Sequence, residues 1–116
     1  MSERKRRTIT LSGRPPVTIA EDDWPMIASA SKHDGQVPSQ AFRNWGLYAR
    51  QHADGRVLVY GVYSTLWKGE HDRRGGELIS AGDDIAATIQ RVGESVDLPE
   101  HLIEECIADL PPEELV

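Results

Sequence analysis

The stretch from Asn44 to Trp67 constrains this chain more than any other. Trp45, Leu47 and Ala49 fall on one face of an extended segment, because strand side chains alternate with a period of two. Asp54-Gly55 supplies residues that tolerate φ > 0, which a tight hairpin turn requires. Val57-Leu58-Val59-Tyr60-Gly61-Val62-Tyr63 follows, rich in β-forming residues and apolar on both faces. A strand with no polar face is central in its sheet, with helices expected over one side.

Shorter signals fill in the rest. Thr8-Ile9-Thr10-Leu11 and Val17-Thr18-Ile19 alternate around the turn Ser12-Gly13-Arg14-Pro15-Pro16, which predicts a first hairpin. Acids at Glu21-Asp22-Asp23 fit one helical turn that Pro25 ends. Met26 to Ser31 suits a packed strand or a short helix, and strand is preferred because Pro fits a strand's first residue. Lys68 to Gly76 reads as a polar loop and Glu77-Leu78-Ile79-Ser80 as a short strand. Asp83-Asp84 caps a helix with apolar positions at Ile85, Ile89, Val92 and Val96. Pro99 opens a second, with its stripe at Leu102, Ile103, Cys106, Ile107 and Leu110, and Pro111-Pro112 stops it. The expectation is an α+β fold: an antiparallel sheet of about five strands, the 44–67 hairpin central, then helices over 83–96 and 99–110. A flexible basic tail, 1–7, would precede a single domain, 8–116.

At 116 residues the chain can bury one core without staples. One cysteine, Cys106, excludes an intramolecular disulfide and fits a reducing compartment. The basic N-terminus is not followed by an apolar run, and no stretch approaches a membrane span, so a cytoplasmic location is expected. Charge is uneven: residues 1–14 carry net +4, residues 15–92 net −2, and residues 93–116 eight acids with no Lys or Arg.

Catalytic chemistry finds little support. His33, His52 and His71 each sit beside an acid, and imidazole with carboxylate can hold zinc. A strand over 56–67 would span about 40 Å at roughly 3.3 Å per residue, which separates His52 from His71 and leaves too few ligands at either end. Cys106 falls on an apolar helix face beside Glu104 and Glu105, where a thiolate is disfavoured, so it reads as core. Paired acids such as Asp83-Asp84 are adjacent in sequence and do not converge on a helix. Gly75-Gly76 behind two arginines is too little for an anion site. No nucleophile elbow, phosphate loop or dinucleotide fingerprint occurs. The chain is expected not to be an enzyme, and no cofactor or metal is implied.

Binding features remain. Tyr48, Arg50 and His52 share a strand face opposite Leu47 and Ala49. They form either a Tyr/Arg interface patch or a surface that the helices cover. Aromatics crowd the hairpin, and so short a chain is not expected to build a two-sheeted core, which would leave some of them near the surface. Arg4, Lys5, Arg6 and Arg7 could grip phosphates by counterion release, or simply form a solubilising tail. Glu104 and Glu105 belong to an acidic end that could dock a basic partner by imitating phosphates, or only aid solubility. The second helix carries no Lys or Arg, so it cannot read DNA as a helix-turn-helix does.

The run Gln51-His52-Ala53-Asp54-Gly55-Arg56-Val57-Leu58-Val59-Tyr60-Gly61-Val62-Tyr63 resembles stretches of uncharacterised proteins carried on proteobacterial plasmids and integrative elements. That resemblance implies an accessory role in mobile-element maintenance, transfer or host defence, and brings no catalytic residues with it. The expected function is an accessory binding protein acting through protein–protein contact, including a homodimer through the central hairpin. The alternatives are an acidic inhibitor of a nucleic-acid-binding enzyme, and weak nucleic-acid binding through the tail.

Overall fold

The computed structural model describes residues 5–35, 42–80 and 82–112. Its strands are β1 (Arg6–Leu11), β2 (Arg14–Ala20), β3 (Met26–His33), β4 (Arg43–Gln51), β5 (Val57–Thr65) and β6 (Arg73–Ile79). One 3-10 turn, Glu21–Asp23, separates β2 from β3, and helices α1 (Ile85–Ser95) and α2 (Glu100–Ala108) close the chain. This is the α+β arrangement expected, with the helices after the sheet.

Strands β3-β4-β5-β6 form an antiparallel sheet in sequence order, while β1 and β2 pair only with each other. The register of β4 with β5 runs from Arg43↔Thr65 to Gln51↔Val57, which puts Leu47, Ala49, Val57 and Val59 on one face. Against them pack Ile89, Val92, Val96, Leu98, Leu102, Ile103 and Cys106 from the helical layer. On the other face Leu58 and Tyr60 meet Ile9, Leu11, Ile19 and Trp24. The β1–β2 hairpin therefore forms a third layer, and β5 is apolar on both sides because it is covered on both sides. This corrects the expectation that a second sheet would not form. Trp24 and Tyr60 are core residues as a result.

Three local expectations also change. The turn after β4 is longer than two residues: Gly55 N–H donates to the His52 carbonyl, and His52 N–H to that of Arg56. Only Gly55 takes positive φ, at 96°, because the Asp54 carboxylate instead accepts from the Arg56 backbone and side chain. The stretch read as a polar loop ends early, since β6 starts at Arg73 and includes Gly75 and Gly76. A Cβ on Gly76 would lie 2.6 Å from the Val59 carbonyl oxygen and 3.2 Å from Leu11, so glycine lets the hairpin seat on the sheet. Finally, Arg6 and Arg7, expected in a flexible tail, lie in β1 and pair with Ala20 and Ile19.

The helices end as their sequence demands. Asp84 caps α1 through its carboxylate, which accepts from Ala87 N–H at 3.0 Å. At the other end Leu98 N–H reaches the Gly93 carbonyl and Asp97 N–H reaches that of Glu94, a Schellman closure. Gly93 also sets the helix–helix distance, because a Cβ there would stand 2.5 Å from Ile103. Among the described residues no helix is long and apolar enough to cross a membrane.

Candidate interaction surfaces

The face carrying Tyr48, Arg50 and His52 is neither covered by the helices nor open. It lies on the side of the four-stranded sheet that the β1–β2 hairpin partly covers. Arg50 is only 8 % exposed. Its Nε donates to the Tyr60 hydroxyl at 2.9 Å and Nη1 to the Trp24 carbonyl at 3.0 Å. Tyr48 is half-buried against Tyr60, with ring centroids 5.2 Å apart, and desolvation raises its phenol above the usual tyrosine value. Its ring lies over Gly46, where any Cβ would collide with it. His52 packs tilted against Trp24, ring centroids 5.0 Å apart, and Arg56 covers the same indole at 5.2 Å. The three residues therefore hold the layer together around Trp24 and Tyr60, and Arg50 is not presented to a partner.

The histidines do not converge. His33 pairs with Asn44 at the end of the sheet where β6 begins, near the chain position of His71, whereas His52 stands beyond Gln51 at the opposite end. Among the described residues no three His, Cys, Asp or Glu side chains are grouped to hold a metal. Cys106 is wholly buried, its Sγ 3.6 Å from the Leu47 carbonyl, and burial pushes its thiol up to about 12. That is a core residue, as its helical spacing indicated.

Sequence reasoning missed the surface at the His33 end of the sheet. Phe42, Leu66 and Trp67 are 52 %, 77 % and 49 % exposed. They stand together because Leu66 N–H donates to the Phe42 carbonyl, extending the β4–β5 ladder by one rung. The Phe42 and Trp67 rings lie 5.2 Å apart, and the Arg43 guanidinium sits 5.5 Å from the Trp67 ring.

Carboxylates around this end are hydrogen-bonded to the fold, Asp34 and Asp72 while exposed. Asp34 accepts the Phe42 and Arg43 backbone N–H groups, and those bonds hold its carboxyl below the usual aspartate range. Glu70 accepts from Arg43 Nε, the Tyr63 hydroxyl and the Thr65 hydroxyl. The Arg43 bond is foremost in lowering its carboxyl. Asp72 accepts Thr65 N–H at 2.9 Å. What faces outward is an aromatic–aliphatic cluster with Lys68, His71, Asp34 and Asp72 exposed around it and Arg43, paired with Glu70, partly exposed.

The charge runs seen in the sequence occupy opposite layers. Lys5, Arg6, Arg7 and Arg14 are exposed on the hairpin layer, and Arg74 is exposed on the adjoining part of the sheet. Glu94, Asp97, Glu100, Glu104, Glu105 and Asp109 are exposed on the helical layer. Arg7 is held by Glu21, with Nε 2.6 Å from the carboxylate. Arg4, Glu113 and Glu114 lie outside the described residues. Comparisons with known protein families, curated proteins and solved structures found no match to this chain.

Proposed function

We propose that this chain is a non-enzymatic accessory protein that acts by binding another protein, and that its contact surface is centred on Phe42, Leu66 and Trp67. The observation that carries the reading is that three large apolar side chains stand about half or more exposed and adjacent. Exposed apolar clusters of this kind cost solubility, and aromatic residues beside an arginine are the composition of interface hot spots. The expected patch at Tyr48, Arg50 and His52 gives way to this one, because Arg50 is committed to the interior.

The surroundings define the partner's chemistry. Asp34, Glu70 and Asp72 are hydrogen-bonded within the fold and Arg43 is paired with Glu70, so among the described residues the rim cation without an ion pair is Lys68. A partner that offers an apolar pocket with an acidic margin matches this surface.

The test is affinity capture from nuclease-treated host lysate, with wild type compared against the double variant Phe42→Ser/Trp67→Ser. A stoichiometric protein bound by wild type, and lost from a variant that melts as wild type does, supports the reading. Retention by the variant, or recovery of the bait alone, overturns it. Glu104→Gln/Glu105→Gln serves as the control. Loss in that variant instead would point to the acidic helical face and a basic partner.

A further inference from the structure

The β1 strand touches the four-stranded sheet unevenly. At its C-terminal end Ser12 N–H donates to the Gly76 carbonyl at 3.0 Å, and Leu11 seats on Gly76. Towards Arg7 the strand diverges from β5 and β6 and leaves a cleft of about 180 Å³. Thr8, Thr10, Val62 and Ser64 line it, with Arg7 and Arg74 as its cations. None of the described residues lining it is acidic. Glu21 pairs with Arg7, so Arg7 reaches the cleft with its counter-charge beside it, and Arg74 is the lining cation without an ion pair among the described residues.

From this arrangement we infer that the cleft between β1 and the β5–β6 face binds the phosphodiester backbone of a single nucleic-acid strand. Guanidinium groups match phosphate oxygens in geometry and charge, and hydroxyls such as those of Thr10 and Ser64 complete such a site without reading bases. Arg74 is an exposed cation on β6, between Arg73 and the tightly packed Gly75.

Two observations favour a strand over a small anion. The cleft is open, and Lys5, two residues before Arg7 and on the same side of the chain, carries positive charge past it, while Arg6 alternates to the other face. A row of positive charge suits repeated phosphates rather than one. The net charge of −6 opposes binding overall; the acids from Glu94 to Asp109 sit on the far helical layer, while Glu21, Asp22 and Asp23 follow β2 at the Arg7 end of the hairpin. The protein therefore approaches a polyanion with the hairpin layer foremost.

The experiment is fluorescence anisotropy of a labelled single-stranded oligothymidylate titrated with the full chain at several salt concentrations. Wild type should bind at low salt, with the logarithm of the association constant falling linearly against that of salt. Arg74→Glu should weaken binding by about tenfold or more and reduce that slope by about one. Arg14→Glu, which reverses an equal charge at the hairpin turn outside the cleft, should weaken it much less. Equal binding by wild type and Arg74→Glu overturns the inference, and so does an equal loss in both variants, which would mean diffuse attraction. A parallel titration with inorganic phosphate, followed by amide shifts at Thr10, Ser64 and Arg74, separates the sources. Saturation by phosphate without any oligonucleotide binding would overturn the nucleic-acid reading.

Discussion

Arg50 donates to the hydroxyl of Tyr60, 2.9 Å away, inside the layer where the β1–β2 hairpin meets the sheet. The two residues lie on neighbouring strands of one sheet, and the second guanidinium bond reaches the Trp24 carbonyl where the chain enters β3. A charged side chain thus ties β4, β5 and the connection from the hairpin together. Buried charge is tolerated only with its hydrogen bonds made.

The expected consequence is structural. Arg50→Ala should destabilise by about 2–4 kcal/mol, since it removes packing and leaves the Trp24 carbonyl and the Tyr60 hydroxyl without their donor. Tyr60→Phe should cost about 1–2 kcal/mol, because it leaves Arg50 Nε unpaired. The double variant should cost less than the sum, as both singles lose the same bond. Urea midpoints for the four proteins check this. Simple additivity would mean that the bond contributes nothing.

That arginine also marks the limit of what the sequence reveals. The β4–β5 hairpin and both helices are legible, because period-2 and period-3.6 patterns and the Asp84 cap are local properties. Which face a charged residue joins depends on a layer that arrives from distant sequence, and Arg50 reads as exposed until β1–β2 is placed over it. Trp24 and Trp67 are alike in composition, yet one is 8 % exposed and the other 49 %. No neighbouring residue distinguishes them. Arg74 was hidden for another reason: Arg73-Arg74-Gly75-Gly76 has the composition of a loop, and only the close approach of Val59, Tyr60 and Leu11 explains Gly76 in a strand there.

Glu70 makes the fold sensitive to acid. Arg43, Thr65 and Tyr63 all stabilise its charged form, so its folded pKa lies below the ordinary 4.5. The unfolded chain then takes up the proton first. Stability from this group is complete above about 4.5 and is lost as pH falls through the depressed folded value. Glu70→Gln should flatten the stability profile below pH 4.5 relative to wild type. Chemical denaturation between pH 7 and pH 2.5 tests it, and parallel profiles would remove Glu70 from the account.

Asp97 occupies the left-handed position that ends α1, with φ at 60°. The Schellman bonds fix that conformation, and the carboxylate stands at a helix C-terminus, where the dipole disfavours negative charge. Arg73 compensates from β6 by donating to the Val96 carbonyl at 2.8 Å while stacking on Tyr63. Asp97→Gly should therefore stabilise by about 0.5–1 kcal/mol, the relieved strain exceeding the extra unfolded-state entropy of glycine. The melting temperature should rise by roughly 2–5 °C, measured by circular dichroism. A fall would mean that Asp97 makes a contribution to the helix end beyond its backbone bonds.

Cys106 gives a direct probe of how tightly the helical layer is closed. Its Sγ is fully buried between α2 and Leu47, and its thiol, pushed up to about 12, stays protonated at neutral and mildly alkaline pH. Both access and thiolate are needed for reaction with an aromatic disulfide reagent. Native protein at pH 8 should therefore label only as fast as α2 lifts from the sheet, and the rate should rise with urea in step with unfolding. Leu102→Ala, which opens a cavity beside α1 and costs about 2–5 kcal/mol, should accelerate labelling more than tenfold. Labelling of wild type as fast as that of a free thiol would show the layer to be open in solution.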